Sequence, residues 1–493
     1  MRPLRAKMIR SISPQAEGEA NFPRPTWLIL LALLIGSIIA IAVGKFGILT
    51  SFAVLSLIIL VVTLAKPDLG LFLFLFAIYI NLSYVLISSY ALPSIARLMV
   101  AIMGGVILVR RLVFKDEYRG WIFLTILLGL YAILGSLSLV YASNYAVANE
   151  TLIGYLKDGL IGIIIVLLAQ RPSSLKLAVW AILTAGLFMA TISVFQQFTG
   201  TFSNRYWGFA LISSNTTYGN RLSGPIGDPN FFAQIMVVLL PIAIDRIWNE
   251  KNGVLKGLAA WIFIATLLTV IYTYSRGSFL ALVVAFIIMA VLRPPRLSFV
   301  LLGLVMLTFT FQFVPVNYKE RISSIFNIFP NSRTAGYVDA SVQGRASENQ
   351  VAWNMFRDNP ILGVGVGNYN SYYQTYSRKL GLDSRLTDRS AHNLYLEVAA
   401  ERGVLGLIVF GSIIIFTLRQ AFDTSKKFKQ LGNKDFADLA DALGISFIAY
   451  LITAIFLHDA YPRFFWVLVG ICWALPQSAQ YFSVQSKIKA IHP

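Results

Sequence analysis

Histidine is scarce in this chain. Among 493 residues there are three, His392, His458 and His492, and a neutral imidazole is the side chain best suited to take a proton from a hydroxyl near neutral pH. His392 lies in Ser390-Ala391-His392-Asn393-Leu394-Tyr395-Leu396-Glu397. Asn393 and Glu397 are one helical turn apart, a spacing that can orient the imidazole or simply stabilise a helix. Taken alone, a loop histidine is more often solvated or structural than catalytic. Arg276 is the second candidate, in Tyr272-Thr-Tyr-Ser-Arg276-Gly277-Ser278, which joins two apolar stretches with hardly any loop. An arginine so placed is costly unless it is paired or snorkels to lipid phosphate. Its planar fork can instead clamp an anionic substrate group.

Further polar pieces surround these two. Gly344-Arg345 opens an expected helix at 346–358, stopped by Pro360, in which Val351, Trp353 and Phe356 are placed to pack. Arg221 begins Arg221-Leu-Ser-Gly-Pro-Ile-Gly-Asp-Pro-Asn230, a turn-rich approach to a helix that Asp228 or Asn230 can cap. Gly363, Gly365 and Gly367 do not form a phosphate cradle: no Lys-Ser/Thr follows and GxGxxG is not matched. Close backbone approach is the expected use of those glycines. Two distant histidines make a poor metal site and no carboxylate spacing supplements them, so no metal and no cofactor is expected. No nucleophile-elbow signature is present, although a Ser-His-Asp triad stays open.

The elements that must position these residues are apolar helices. Hydrophobic residues make up 57% of the chain and charged ones 13%, with mean hydropathy +0.69, outside the range of a soluble domain. A hydrocarbon core of about 30 Å needs roughly 20 mainly apolar helical residues. Fourteen stretches meet or approach that length: 26–43, 47–65, 69–90, 92–109, 121–141, 152–169, 175–197, 230–248, 256–273, 278–292, 297–314, 403–419, 440–457 and 463–479. They lack period-2 alternation, so the expected fold is an all-α polytopic membrane protein rather than a barrel. A large outer loop, 315–402, contains short helices and is too short for most independent enzymes. The first run is not a cleavable signal, and the single Cys472, inside the last span, leaves no disulfide framework.

Basic residues orient the spans. Arg2, Arg5, Lys7 and Arg10 precede the first. By alternation Arg110, Arg111, Lys115 and Arg119 share their side, as do Arg171 with Lys176, Arg246 with Lys251 and Lys256, and Arg293 with Arg296. Lys426, Lys427, Lys429 and Lys434, then Lys487 and Lys489, complete the cytoplasmic set. Both termini are therefore expected in the cytoplasm. The loops 198–229 and 315–402 and the turns near 274–277 and 458–462 then face outward. The net charge of +18, from 41 basic and 23 acidic residues, reflects this bias and attraction to membrane lipids. No basic stripe interleaved with aromatics signals nucleic acid.

The outer pieces, in this order, resemble the O-antigen ligase/polymerase family of bacterial envelope enzymes. The resemblance rests on Arg221 to Asn230, Ser275-Arg276-Gly277, Gly344-Arg345 with Trp353, and Asn359-Pro360-Ile-Leu-Gly363-Val-Gly365-Val-Gly367-Asn368. Ala391-His392-Asn393 through Glu397 and Glu401-Arg402-Gly403 complete it, over about residues 200 to 420. It implies a metal-independent, inverting transfer of a glycan from undecaprenyl pyrophosphate to a glycan or lipid acceptor hydroxyl at the outer leaflet of the inner membrane. By the same resemblance Arg276 and Arg345 would hold the pyrophosphate, His392 would be the essential histidine, and Asp459 a family acidic residue. Arg221, Asn393 and Glu397 are further candidates. Ligase and polymerase differ only in acceptor. The alternatives are a secondary transporter of a small anion and a protein O-oligosaccharyltransferase. A transporter is expected to carry ionisable residues at the midplane, whereas Arg97, Lys157 and Asp158 fall near the outer ends of their expected spans. The expected organisation is a cytoplasmic tail (1–25), N-terminal helices (26–197), a catalytic region (198–420), and C-terminal helices with a cytoplasmic tail (421–493).

Overall fold

A computed structural model describes residues 48–215, 219–294, 340–382, 389–458 and 462–491. The chain divides into two compact units, 1–59 and 60–493; apart from the helix Ile48–Ala65, which runs across that boundary, the description that follows is of the second. The expected spans at 26–43 and 297–314, and Asp459, lie outside the described residues.

The described chain is almost wholly helical. Its helices are α1 (Ile48–Ala65), α2 (Pro67–Tyr79), α3 (Leu82–Tyr90), α4 (Ile95–Leu112), α5 (Ile122–Ser138), α6 (Tyr145–Leu168) and α7 (Pro172–Thr199). A hairpin of β1 (Leu211–Asn215) and β2 (Gly219–Gly224) follows. Next come α8 (Pro229–Asn249), α9 (Gly253–Tyr272), α10 (Arg276–Leu292), α11 (Ala340–Asp358) and α12 (Tyr369–Lys379). The last are α13 (Leu394–Gln430), α14 (Lys434–Thr453) with a 3-10 turn at Ala454–Phe456, and α15 (Arg463–Ile491). Six of these are long and apolar enough to cross a bilayer, or seven if α2 and α3 form one bent span.

Three expectations change. The stretch 69–90 is not one helix: Asn81 adopts a left-handed φ of 57° and the two halves bend by 51°. The two-stranded hairpin at 211–224 has no counterpart in an all-α reading, because its short polar strands carry no hydropathy signal. Lastly, α6 begins at Tyr145, capped by Asn144, whose side chain accepts from the Val147 N–H. Lys157 and Asp158, 3.3 Å apart, therefore lie near the middle of α6 and not near its end.

Helices α8, α10 and α14 run between two polar layers. Asp228, Arg276 and His458 mark one end. At the other, Arg246 contacts Asp245 at 2.6 Å and Asp435 at 2.7 Å. Arg293 contacts Asp245 at 3.0 Å and Asp438 at 3.4 Å, and Lys176 contacts Glu250 at 3.0 Å. Asp245 and Arg246 are fully buried, an arrangement tolerable only because each charge has a partner. The 21 residues of α8 span about 32 Å at 1.5 Å per residue, close to a hydrocarbon core. The network draws together Lys176, Arg246 and Arg293, three members of the basic set assigned to one side by alternation.

The segment from α11 to the start of α13 has its own apolar core. Val351, Ala352, Met355, Val364, Tyr369, Tyr373, Ala391 and Ala400 pack together. Val351 belongs to it as expected, whereas Trp353 is 53% exposed and its ring meets that of Phe356 at 5.6 Å.

Candidate active site

A break in one helix sets the site's geometry. α13 is interrupted at Gly403, where φ is 61° and ψ −162°. The interruption frees backbone donors, and the approach to the glycine run satisfies them: Val404 N–H donates to the Pro360 carbonyl at 2.8 Å. In return Val364 N–H donates to the Ala400 carbonyl at 2.8 Å and Gly365 N–H to the Glu401 carbonyl at 3.0 Å. Glu401 then receives the N–H groups of Gly367 at 2.8 Å and Tyr369 at 3.1 Å. A Cβ on Gly363 would overlap the backbone of Glu401 and Arg402. The glycines thus serve close backbone approach, as expected. Arg402 turns inward, with its guanidinium 3.9 Å from the Tyr131 ring centroid and 3.0 Å from the Tyr131 carbonyl. The first turns of α13 are held rigidly by these contacts.

Just ahead of those turns stands His392, in the left-handed region with φ 43°, a conformation uncommon for a side-chain-bearing residue. Asn393 caps α13 by accepting from Tyr395 N–H at 3.1 Å and Leu396 N–H at 3.2 Å, so its side chain is engaged in the helix start. Tyr395 donates to the Leu451 carbonyl at 2.8 Å and pins α13 to α14. The His392 Nδ1 lies 3.1 Å from the Ser390 carbonyl and 2.9 Å from Oε2 of Glu348. The contact with Glu348 is at ion-pair distance, and which ring nitrogen carries the proton depends on these two partners.

Glu348 is fully buried. Its other oxygen takes Arg389 at 2.7 Å, and its backbone carbonyl accepts from the Tyr369 hydroxyl at 2.8 Å. Burial pushes its carboxyl upward, but the contacts with His392 and Arg389 outweigh this and hold it below the ordinary value. Glu348 is three residues beyond Arg345 on α11, so the two share a helix face.

His458 completes the group. Its ring meets that of His392 at 4.7 Å, edge to face, and its Nδ1 is buried without a hydrogen-bond partner. Burial first, then His392, push the imidazole down to about 4; Asp228 and Glu348 oppose that and Arg345 adds to it. Asp228, Arg345, Glu348 and His392 are therefore all within electrostatic reach of His458. The five come from four separate places in the chain, Arg345 and Glu348 sharing one turn of α11.

The remaining candidates sort by position. Arg276 opens α10, and a Cβ on the next residue, Gly277, would lie 2.7 Å from the Phe456 ring. The first turn of α10 is thus pressed against the 3-10 turn that leads to His458. Tyr274, two residues earlier, is left-handed with φ 54°. Arg221 supports that corner: it donates to the Thr273 carbonyl at 2.8 Å and to Asn230 at 3.0 Å. Asp228, not Asn230, caps α8, accepting from Phe231 N–H at 2.8 Å. Glu397 is buried in the first turn of α13 and helps to raise the Tyr369 hydroxyl, which is raised mainly by burial. Among the described residues no three His, Cys, Asp or Glu side chains gather to hold a metal ion.

Residues 261–411 match the family described as O-antigen ligase. The chain carries an O-antigen ligase domain there. The teichuronic acid biosynthesis protein TuaE of Bacillus subtilis (strain 168) is 24% identical over 356 residues, covering 69% of this chain and 68% of that one. Arg276, Arg345, Glu348 and His392 all fall within the O-antigen ligase domain. Asp228 and His458 do not; tertiary packing brings them to it. Sequence reasoning missed Glu348 and Arg389. The available signal for Glu348 was its place one turn after Arg345.

Proposed function

We propose that this protein is a membrane glycosyltransferase that moves a glycan from undecaprenyl pyrophosphate to an acceptor hydroxyl at the outer leaflet. The observation that carries this reading is the placement of His392 beside Glu348, on the helix face that also bears Arg345, within an O-antigen ligase domain. The acceptor oxygen attacks the anomeric carbon while its proton passes to Nε2 of His392. The bond from that carbon to the pyrophosphate oxygen breaks, its electron pair leaves with undecaprenyl pyrophosphate, and configuration inverts. Arg276 and Arg345 neutralise the charge that grows on the leaving group, as preorganised guanidinium donors can.

The same reading has fourteen spans, both termini in the cytoplasm of a bacterial plasma membrane, and the His392 cluster outside. The buried network around Arg246 then lies at the cytoplasmic face. The relative TuaE is named for teichuronic acid biosynthesis, which supports glycan assembly over protein O-glycosylation. The mid-helix pair Lys157 and Asp158 is the feature a transporter of small anions would use; its neighbours in sequence partner each other, which supports a static role.

The test is transfer in proteoliposomes from a defined undecaprenyl-pyrophosphate oligosaccharide. His392→Gln should lower turnover roughly 100- to 10,000-fold, the usual range for general-base catalysis, with donor binding retained. Near-normal turnover with the same pH profile would remove His392 from the chemistry.

A further inference from the structure

We infer that Glu348 is the positioning residue of this site, fixing His392 with its proton on Nδ1 and its Nε2 open, and stabilising the imidazolium formed when Nε2 takes a proton. This rests on the transfer reading given above.

Three observations carry it. Oε2 of Glu348 is 2.9 Å from Nδ1, a distance at which a carboxylate favours a proton on that nitrogen and a positive charge on the ring. The carboxylate is fully buried, so this attraction is weakly screened. Its other oxygen is held by Arg389 at 2.7 Å, and the helix turn that carries it by the Tyr369 hydroxyl on the Glu348 backbone carbonyl at 2.8 Å. The depressed carboxyl keeps the group ionised at neutral pH.

The charged and titratable neighbours do not supply this function in its place. Arg345 on the same helix and Arg389 are cations, which oppose a proton on His392. His458, on the turn after α14, lies edge-on to the ring and opposes it too. Asp228 reaches the cluster from the cap of α8 but accepts the Phe231 N–H. Glu397, buried in the first turn of α13, acts on the Tyr369 hydroxyl, behind burial and Glu348. The Ser390 carbonyl, 3.1 Å from Nδ1, can hold the same tautomer, but as a neutral group it cannot match a carboxylate in stabilising the imidazolium.

The experiment uses the full chain in lipid nanodiscs with 15N-labelled histidine, signals being assigned by His392→Gln and His458→Gln. In the wild type, neutral His392 should carry its proton on Nδ1. In Glu348→Gln that tautomer should lose population and the ring should give up its proton at lower pH. Turnover should fall roughly 10- to 1,000-fold, less than the loss of the base itself, with donor KM within about twofold and the acid limb of the rate profile moved to lower pH. Glu348→Asp should recover part of the rate. Arg389→Gln, which frees one oxygen of the carboxylate but leaves its charge, should disturb the Nδ1 proton less than Glu348→Gln does; an equal effect would move the role from Glu348 to the ion pair and overturn the assignment. An unchanged tautomer and proton loss in both Glu348 variants would overturn the assignment, leaving Ser390 to orient the ring. Spectra that move as expected in a protein with no transfer activity would support Glu348 and reject the transfer reading instead.

Discussion

The rings of His392 and His458 meet edge to face with 4.7 Å between centroids, although one precedes α13 and the other follows α14. Two imidazoles this close, with one nitrogen of His458 buried and unpartnered, disfavour a second positive charge. His458 is therefore the member of the pair that stays neutral.

That neutrality has a cost in acid. The His458 imidazole falls from 6.5 to about 4 on folding, so between those values the unfolded chain takes up a proton that the folded chain refuses. Stability then decreases as pH falls from about 6.5 to about 4, and the effect is complete below both. Glu348 behaves differently: its lowered carboxyl contributes stability that is lost only as pH falls below its ordinary value of 4.5. Thermal unfolding across this range should show a steep wild-type decline above pH 4.5 that His458→Gln flattens. Equal slopes in the two proteins would contradict the burial argument.

The two arginines predict a graded response. Arg276→Ala or Arg345→Ala should abolish transfer at normal membrane abundance. Lysine at either position should restore only part of the rate, because a point charge cannot reproduce a bidentate fork. Labelled donor retention in nanodiscs, measured beside turnover, checks this; an active alanine variant would exclude that arginine from the pyrophosphate site.

Gly363 sits at φ +69°, where a side chain would meet the backbone of Glu401 and Arg402. Gly363→Ala should therefore destabilise by more than the roughly 1 kcal/mol typical of point substitutions in general and displace the start of α13 that carries His392. Lower melting temperature together with reduced turnover is the expected result. Gly381→Ala, where nothing lies within 4 Å of the added atom, is the control for the strain of a left-handed φ alone.

Topology is testable by single cysteines, because the native Cys472 is buried. An impermeant thiol reagent on intact cells should label Asn370→Cys on α12 and spare Gln430→Cys at the end of α13. The reverse pattern would invert the orientation and place the His392 cluster in the cytoplasm.

Hydropathy made the apolar helices legible because each of them satisfies its backbone internally and needs only length and composition to be recognised. Basic clusters such as Arg246 and Arg293 were legible as members of one side, and the ion network that joins them agrees with that grouping. The glycine run was readable as close approach, since only glycine tolerates both the positive φ and the crowding. Motif order pointed to the ligase region, and one family match covers residues 261–411. Other features had no local signature. The bend at Asn81 and the hairpin at 211–224 come from packing and turn geometry, not from periodicity. Glu348 became a candidate, and His458 acquired a partner, only when α11, the start of α13 and the turn after α14 met, because a carboxylate or an imidazole declares its role through its neighbours. Burial, a partner at 2.9 Å and a ring at 4.7 Å are relations between distant segments, and the tertiary structure alone decides them.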